Sequence, residues 1–136
     1  MMTEDIIQSD TQVSTDTKNL VKVFPLLLQL QENKGKYYGR SYCKHGHLSI
    51  FMNVERKWDR LANIMDSLIQ NGTKDFFKSE GSHNETIVDT IADLATYSLL
   101  WLGYMYENHP DLIAKFISEN HLKEEDCKAL LRKCIG

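Results

Sequence analysis

The sequence predicts an all-α protein, a helical bundle with two long antiparallel helices as its spine. Three observations lead there. No stretch alternates apolar and polar residues over four or more positions with the β-branched enrichment of a strand. Two stretches, Ile50 to about Gln70 and Glu85 to about Asn108, instead carry apolar residues at the spacing of a helix face. Two prolines and seven glycines in 136 residues leave room for long uninterrupted elements.

In chain order, residues 1–16 are polar without a clear period and read as a loose arm. Asp16 or Thr17 is placed to cap a helix from about Lys18 to Asn33, with Leu20, Val21, Phe24, Leu27, Leu28 and Leu30 as its apolar face. Pro25 inside it removes a backbone donor and marks a kink or the true start, and Gly35 ends it. The next stretch, GKYYGRSYCKHGHLS, reads as a cationic, aromatic loop in an otherwise acidic chain.

Ser49 is placed to cap the first long helix, whose stripe is Phe51, Val54, Trp58, Leu61, Ala62, Met65, Leu68 and Ile69. Glu55, Asp59 and Asp66 follow one border of that stripe. Arg56 and Arg60 lie beyond them, and Lys57 lies on the opposite border. A polar connection from Gln70 to His83 follows, with Gly72 and Gly81 as breakers and Phe76 and Phe77 pinning it to the core.

Ser82 and Glu85 form a capping box for the central helix. Ile87, Ile91, Leu94, Ala95, Ser98, Leu102 and Met105 are its expected core face, and Glu85, Asp89 and Asp93 recur every four residues roughly opposite. Val88, Leu99, Leu100, Trp101 and Tyr104 lie off the main face, which predicts a homo-oligomer, most simply a dimer, to cover them. Pro110 disfavours helical geometry at His109 and opens a helix to about Glu119. Asn120 and His121 break that helix, and a last one runs from about Lys123 to Cys134. The chain is expected to form one domain: the arm, a helical core over 17–108, and a C-terminal helical extension over 109–136.

A formal net charge of −3 gives no reason to expect nucleic acid as a partner. The apolar runs are too short to span a bilayer, and the polar, acidic N-terminus is not signal-like. Three cysteines without a paired framework fit reduced thiols, so a cytoplasmic location is expected. Cys127 and Cys134, seven residues apart on one helix, read as small core residues.

Two constellations carry chemistry. Glu55 and Asp59 on one long helix, with Glu85, Asp89 and Asp93 on the other, offer hard oxygen ligands for Mg²⁺, which also holds substrate phosphates and polarises them. The bland alternative is a solvated acidic face. Asp93→Asn should leave stability little changed or raise it by relieving acid repulsion; lost activity would then mark a functional acid, and unchanged nucleotide affinity, turnover and Mg²⁺ dependence the solvated face. The second constellation is the stretch from Lys36 to His47. Lys36, Arg40 and Lys44 suit phosphate, and a tyrosine such as Tyr38 or Tyr42 suits stacking on a base. Cys43, His45 and His47 stand too close together in sequence, and lack a fourth ligand, for a structural zinc.

The stretch YYGRSYCKHGHLSIFMNVERKWDRLANIM, followed by ETIVDTIADLATYSLL, resembles phage and bacterial proteins of a nucleotide-modification-associated domain, a branch of the MazG-like all-α nucleoside-triphosphate pyrophosphatases. The resemblance rests on Tyr38-Gly39, Phe51-Met52, the run Arg56-Lys57-Trp58-Asp59-Arg60, and Asp89, Asp93, Leu94 and Tyr97. It implies a helical, often oligomeric fold and Mg²⁺-dependent release of pyrophosphate from nucleoside triphosphates. On that account Glu55, Asp59, Asp89 and Asp93 hold metal, and Glu85 serves as ligand or base. Arg56, Lys57, Trp58 and Tyr97 join the nucleotide site. The chain departs from the usual pairs of acids three residues apart: Trp58 follows Glu55 at that distance and Thr90 precedes Asp93. Two functions are therefore expected as alternatives. One is a Mg²⁺-dependent nucleotide pyrophosphohydrolase. The other is a phage protein of the host cytoplasm that sequesters a nucleotide-derived defence signal without cleaving it.

Overall fold

A computed structural model describes residues 12–72 and 82–135, with the backbone alone over 82–86. The described residues are mostly helical and contain no strand. The elements are α1 (Thr15–Tyr38), a 3₁₀ turn η1 (Ser41–Cys43), α2 (His47–Asn71), α3 (Ser82–Asn108), α4 (Pro110–Glu119) and α5 (Glu124–Ile135). The chain divides into two compact units. One is Asn33–Pro110; the other gathers Met1–Glu32 and Asp111–Gly136.

In α1 the cap is Ser14, two or three residues earlier than expected: its Oγ accepts the Thr17 amide at 3.1 Å. Pro25 sits within the continuous helix. Gly35 does not end it. The helix runs on to Tyr38 and stops at Gly39, whose amide reaches the Gly35 carbonyl at 2.9 Å and whose φ is +57°. The expected loop thus shrinks to residues 39–46, because Lys36, Tyr37 and Tyr38 form the last turn of α1 and His47 and Leu48 the first of α2.

Helix α2 opens after Gly46, not at Ser49. Ser49 still serves that end: its Oγ accepts the His45 amide at 3.0 Å and donates to the Gly46 carbonyl at 3.0 Å. The helix closes before Gly72, at φ +81°.

Helices α2 and α3 pack against each other, and α2 also packs on η1. The pairing is antiparallel, since His47 meets Trp101 and Tyr104, Phe51 meets Trp101, and Lys57 meets Asp93. On α2 the positions that are half-buried or better include Ile50, Val54, Lys57, Leu61, Ile64 and Leu68, spaced alternately by four and three residues. Trp58, expected at the centre of the interface, is 59% exposed. On α3 the covered face is rotated from the expected one. Ile87, Thr90 and Thr96 are buried and Leu94, Tyr97, Leu100, Trp101 and Tyr104 half-buried, whereas Ile91, Ser98 and Leu102 are exposed. The reason is that α3 has apolar residues almost all round, so periodicity alone does not choose a face. Thr96 can sit inside because its hydroxyl donates to the Ala92 carbonyl at 2.8 Å.

Helices α4 and α5 follow the expected bounds closely. Pro110 is the first residue of α4. His121, at φ +54°, turns the chain after it, with the Leu122 amide reaching the Ile117 carbonyl at 3.0 Å. Cys127 is exposed rather than core, and Cys134 is half-buried. No helix among the described residues is long and apolar enough to cross a membrane. Phe76, Phe77 and the side chains of Ser82 and Glu85 lie outside the described residues.

Candidate functional site

Two polar clusters lie within the unit Asn33–Pro110, and the first is centred on Asp93. One carboxylate oxygen is 2.8 Å from Lys34 Nζ and the other 2.8 Å from Lys57 Nζ. Asp93 is 16% exposed and Lys57 12%, whereas Lys34, near the end of α1, is 45% exposed. Burial pushes the Asp93 carboxyl up, but hydrogen bonds and charge from both ammonium groups outweigh it and hold it below the usual carboxylate range.

This arrangement separates the acids that the sequence grouped. Lys57 points at α3, so Glu55 and Asp59, each two positions away, are rotated by about 160° from it on the helix. Both are exposed, as is Asp89, and they are not brought to Asp93. The expected view of Glu55 and Asp59 into the groove fails because Lys57, placed on the far border, occupies the inward position. Among the described residues no three or more His, Cys, Asp or Glu side chains gather in a way that holds a metal.

The expected nucleotide residues are dispersed. Lys36, Tyr38 and Lys44 are exposed. Arg40 donates to Glu107 Oε1 at 2.8 Å; that hydrogen bond, then one with Tyr42, raises its pKa. Arg56 donates to its neighbour Asn53 at 3.2 Å. Tyr97, one turn beyond Asp93 on α3, is half-buried.

The second cluster is aromatic and stands where α2 begins and α3 ends. Trp101 Nε1–H donates to His47 Nδ1 at 2.9 Å, and His47 Nε2 lies 3.1 Å from His109 Nε2. His47 stacks on His109 and takes Tyr104 edge-on. With Nδ1 accepting, neutral His47 carries its proton on Nε2 and donates to His109. The Cys43 thiol meanwhile donates to the Arg40 carbonyl at 3.4 Å. Beside this cluster an open groove of about 680 Å³ is lined by His47, Val54, Ser98, Trp101, Leu102 and Met105.

Lys34, Trp101, Glu107 and His109 are the polar partners that sequence reasoning did not place. Lys57 had a readable signal: it is the lone charge in the four-three series from Ile50 to Leu68. The others join residues more than fifty positions apart and leave no local trace.

The fold and these clusters define an all-α protein with a helical hairpin in which the inward carboxylate of Asp93 is held by two cations. No protein-family model and no solved structure matches the chain. The chain is similar to the Gene 30 protein of Bacillus phage SP01, at 29% identity over 122 residues that cover 81% of this chain and 54% of the relative. It thus spans about half the length of that curated relative.

Proposed function

We propose that this protein binds a nucleotide or nucleotide-derived ligand through its phosphates and holds it without cleavage, on a MazG-like helical core. The observation that carries the reading is the sign of the charges at the α2–α3 contact: Lys34 and Lys57 converge on Asp93, while Glu55 and Asp59 stand on the far side of α2. A catalytic Mg²⁺ needs carboxylates to converge, whereas a phosphate needs cations. A terminal phosphate carries about −1.5 to −2 against the single charge of Asp93 and competes with it for both ammonium groups. Lys34 is exposed enough to follow an incoming anion, and Tyr97 lies one turn away to border a base. The similarity to a phage protein fits the sequestration of a signalling nucleotide in the host cytoplasm.

The test is a panel of ribo- and deoxynucleoside triphosphates and cyclic nucleotides, scored by calorimetry for binding and by a coupled assay for pyrophosphate. Binding should survive EDTA, fail in Lys57→Ala, and release no pyrophosphate. Mg²⁺-dependent pyrophosphate release that is lost in Asp93→Asn and Asp89→Asn would establish the pyrophosphohydrolase reading instead.

A further inference from the structure

The aromatic cluster where α2 begins and α3 ends leaves its protons no freedom. The Trp101 indole has a polar hydrogen and no acceptor, so His47 Nδ1 meets it as a bare lone pair. The proton of neutral His47 then sits on Nε2 and is donated to His109 Nε2, and neutral His109 keeps its own on Nδ1. The chain runs one way, from Trp101 to His47 to His109. Each ring nitrogen that could take a further proton is already accepting a hydrogen bond.

The two rings stand at opposite helix poles. His47 is the first residue of α2, at its positive end, whereas His109 follows the last residue of α3 and its amide donates to the Met105 carbonyl at 2.7 Å, at the negative end. A positive charge is therefore disfavoured on His47 and favoured on His109. The other titratable groups nearby are Tyr104 and Glu107 of α3, Arg40, Tyr42, Cys43, Lys44 and His45 between α1 and α2, and Asp111 in the first turn of α4. Tyr104 meets His47 edge-on, Glu107 pairs with Arg40, and the Cys43 thiol donates to the Arg40 carbonyl. Among the described residues no carboxylate or ammonium group pairs with either imidazole.

We propose that this chain is a proton-operated latch: one proton taken from solvent charges His109, reverses His47 and frees the Trp101 indole from the start of α2. The His47 Nε2 proton passes along its hydrogen bond to His109 Nε2, which makes His109 an imidazolium, and the incoming proton fills His47 Nδ1. His47 now accepts at Nε2 and donates at Nδ1, so the Trp101 N–H faces another N–H and its bond is lost. Trp101, His47 and Met105 all line the groove beside the cluster. With both rings neutral the indole is fixed as one wall of that groove; with His109 charged it turns freely. His47 is exposed, so water replaces the lost bond and the hairpin stays folded. Acid thus reshapes the groove without unfolding the helices. The proposal is independent of the nucleotide reading.

The test uses the full chain carrying Trp58→Phe, which leaves Trp101 as its one tryptophan. Nitrogen NMR of the imidazoles and the indole N–H signal are followed from about pH 8 to about pH 5, where histidine is the side chain that ordinarily changes charge. Circular dichroism checks folding. On acidification His47 should pass from the Nε2–H to the Nδ1–H tautomer as His109 becomes doubly protonated, and the indole N–H should exchange with water about fivefold faster or more. His109→Gln keeps an acceptor for His47 but takes no proton, so release of Trp101 should move down by about one pH unit. A His47 that keeps its Nε2 proton at the acid end overturns the proposal, as does an indole N–H that exchanges equally fast at both ends. Release at the same pH in His109→Gln also overturns it, since the proton would then enter at His47 itself. The tautomers are read with both histidines in place, so misfolding of His109→Gln does not remove the test.

Discussion

Replacing Asp93 by Asn separates the structure's account of this acid from the sequence's. On the helix face alone, losing a charge from the Glu85–Asp89–Asp93 row should leave stability unchanged or raise it. In the structure Asp93 accepts from two ammonium groups at 2.8 Å each. An asparagine oxygen can accept from one of them, but its NH₂ then faces the other, donor against donor. Hydrogen bonds to charged groups contribute about 1.5–3 kcal/mol each. Lys34, 45% exposed, returns to water and regains most of its share, whereas Lys57, 12% exposed, does not. The expected loss is about 2 kcal/mol, a fall of about 1 M in urea midpoint at an m-value of about 2 kcal/mol/M. Urea titrations followed by circular dichroism measure it. The pH dependence carries a sign as well. Because the folded carboxyl sits below its ordinary value, its contribution is complete above about pH 4 and is lost as pH falls through the lower folded value. The gap between wild type and variant should therefore close below about pH 4 and stay constant from there to neutrality. An Asp93→Asn protein as stable as wild type at pH 7 would refute the clamp.

Other outcomes follow from single positions. Gly39→Ala should cost about 1–2 kcal/mol, since φ is +57° but nothing lies within 4 Å of the added methyl group. Gly46→Ala should cost more in the same titration, because φ +64°, ψ −141° lies near a region that glycine alone occupies and its β-carbon would lie 3.3 Å from Tyr104 Oη. Nitrogen-detected NMR at pH 8 should find His47 as the Nε2–H tautomer and His109 as the Nδ1–H tautomer, and Trp101→Phe should release that preference.

The helical class, the break at His109 and the start of α4 at Pro110 were legible because proline and 3.6-residue periodicity act locally. The covered face of α3 was not. Leu99, Leu100, Trp101 and Leu102 are consecutive, so several rotations bury a similar apolar area, and packing on α2 decides among them. The acids were misgrouped for a related reason. Trp58 and Ile69 drew the α2 stripe toward a seam that α3 leaves open, which made Glu55 and Asp59 look like border residues and Lys57 peripheral. Once the axis of contact runs through Ile50, Val54 and Lys57, the same residues fall into place. Lys34 was beyond reach, because α1 was expected to end at Gly35 and nothing local ties it to a residue 59 positions later.

The pair of Lys57 and Asp93 also bears on how the hairpin is specified. Sliding α2 along α3 by one heptad would keep apolar side chains facing apolar side chains nearly everywhere, since the four-three series repeats itself. It would not keep Lys57 opposite Asp93. Each charge would then sit against an apolar neighbour without its partner, a penalty of several kcal/mol when a buried pair is split. The two residues thus act as a key that admits one alignment of the helices. Alignment set by side chains does not need to be set by the segment that joins them. The entropy of closing such a segment rises slowly with its length, about 0.6 kcal/mol for each doubling. Insertions of several residues between positions 72 and 82 should therefore shift neither the pairing of α2 with α3 nor the geometry at Asp93.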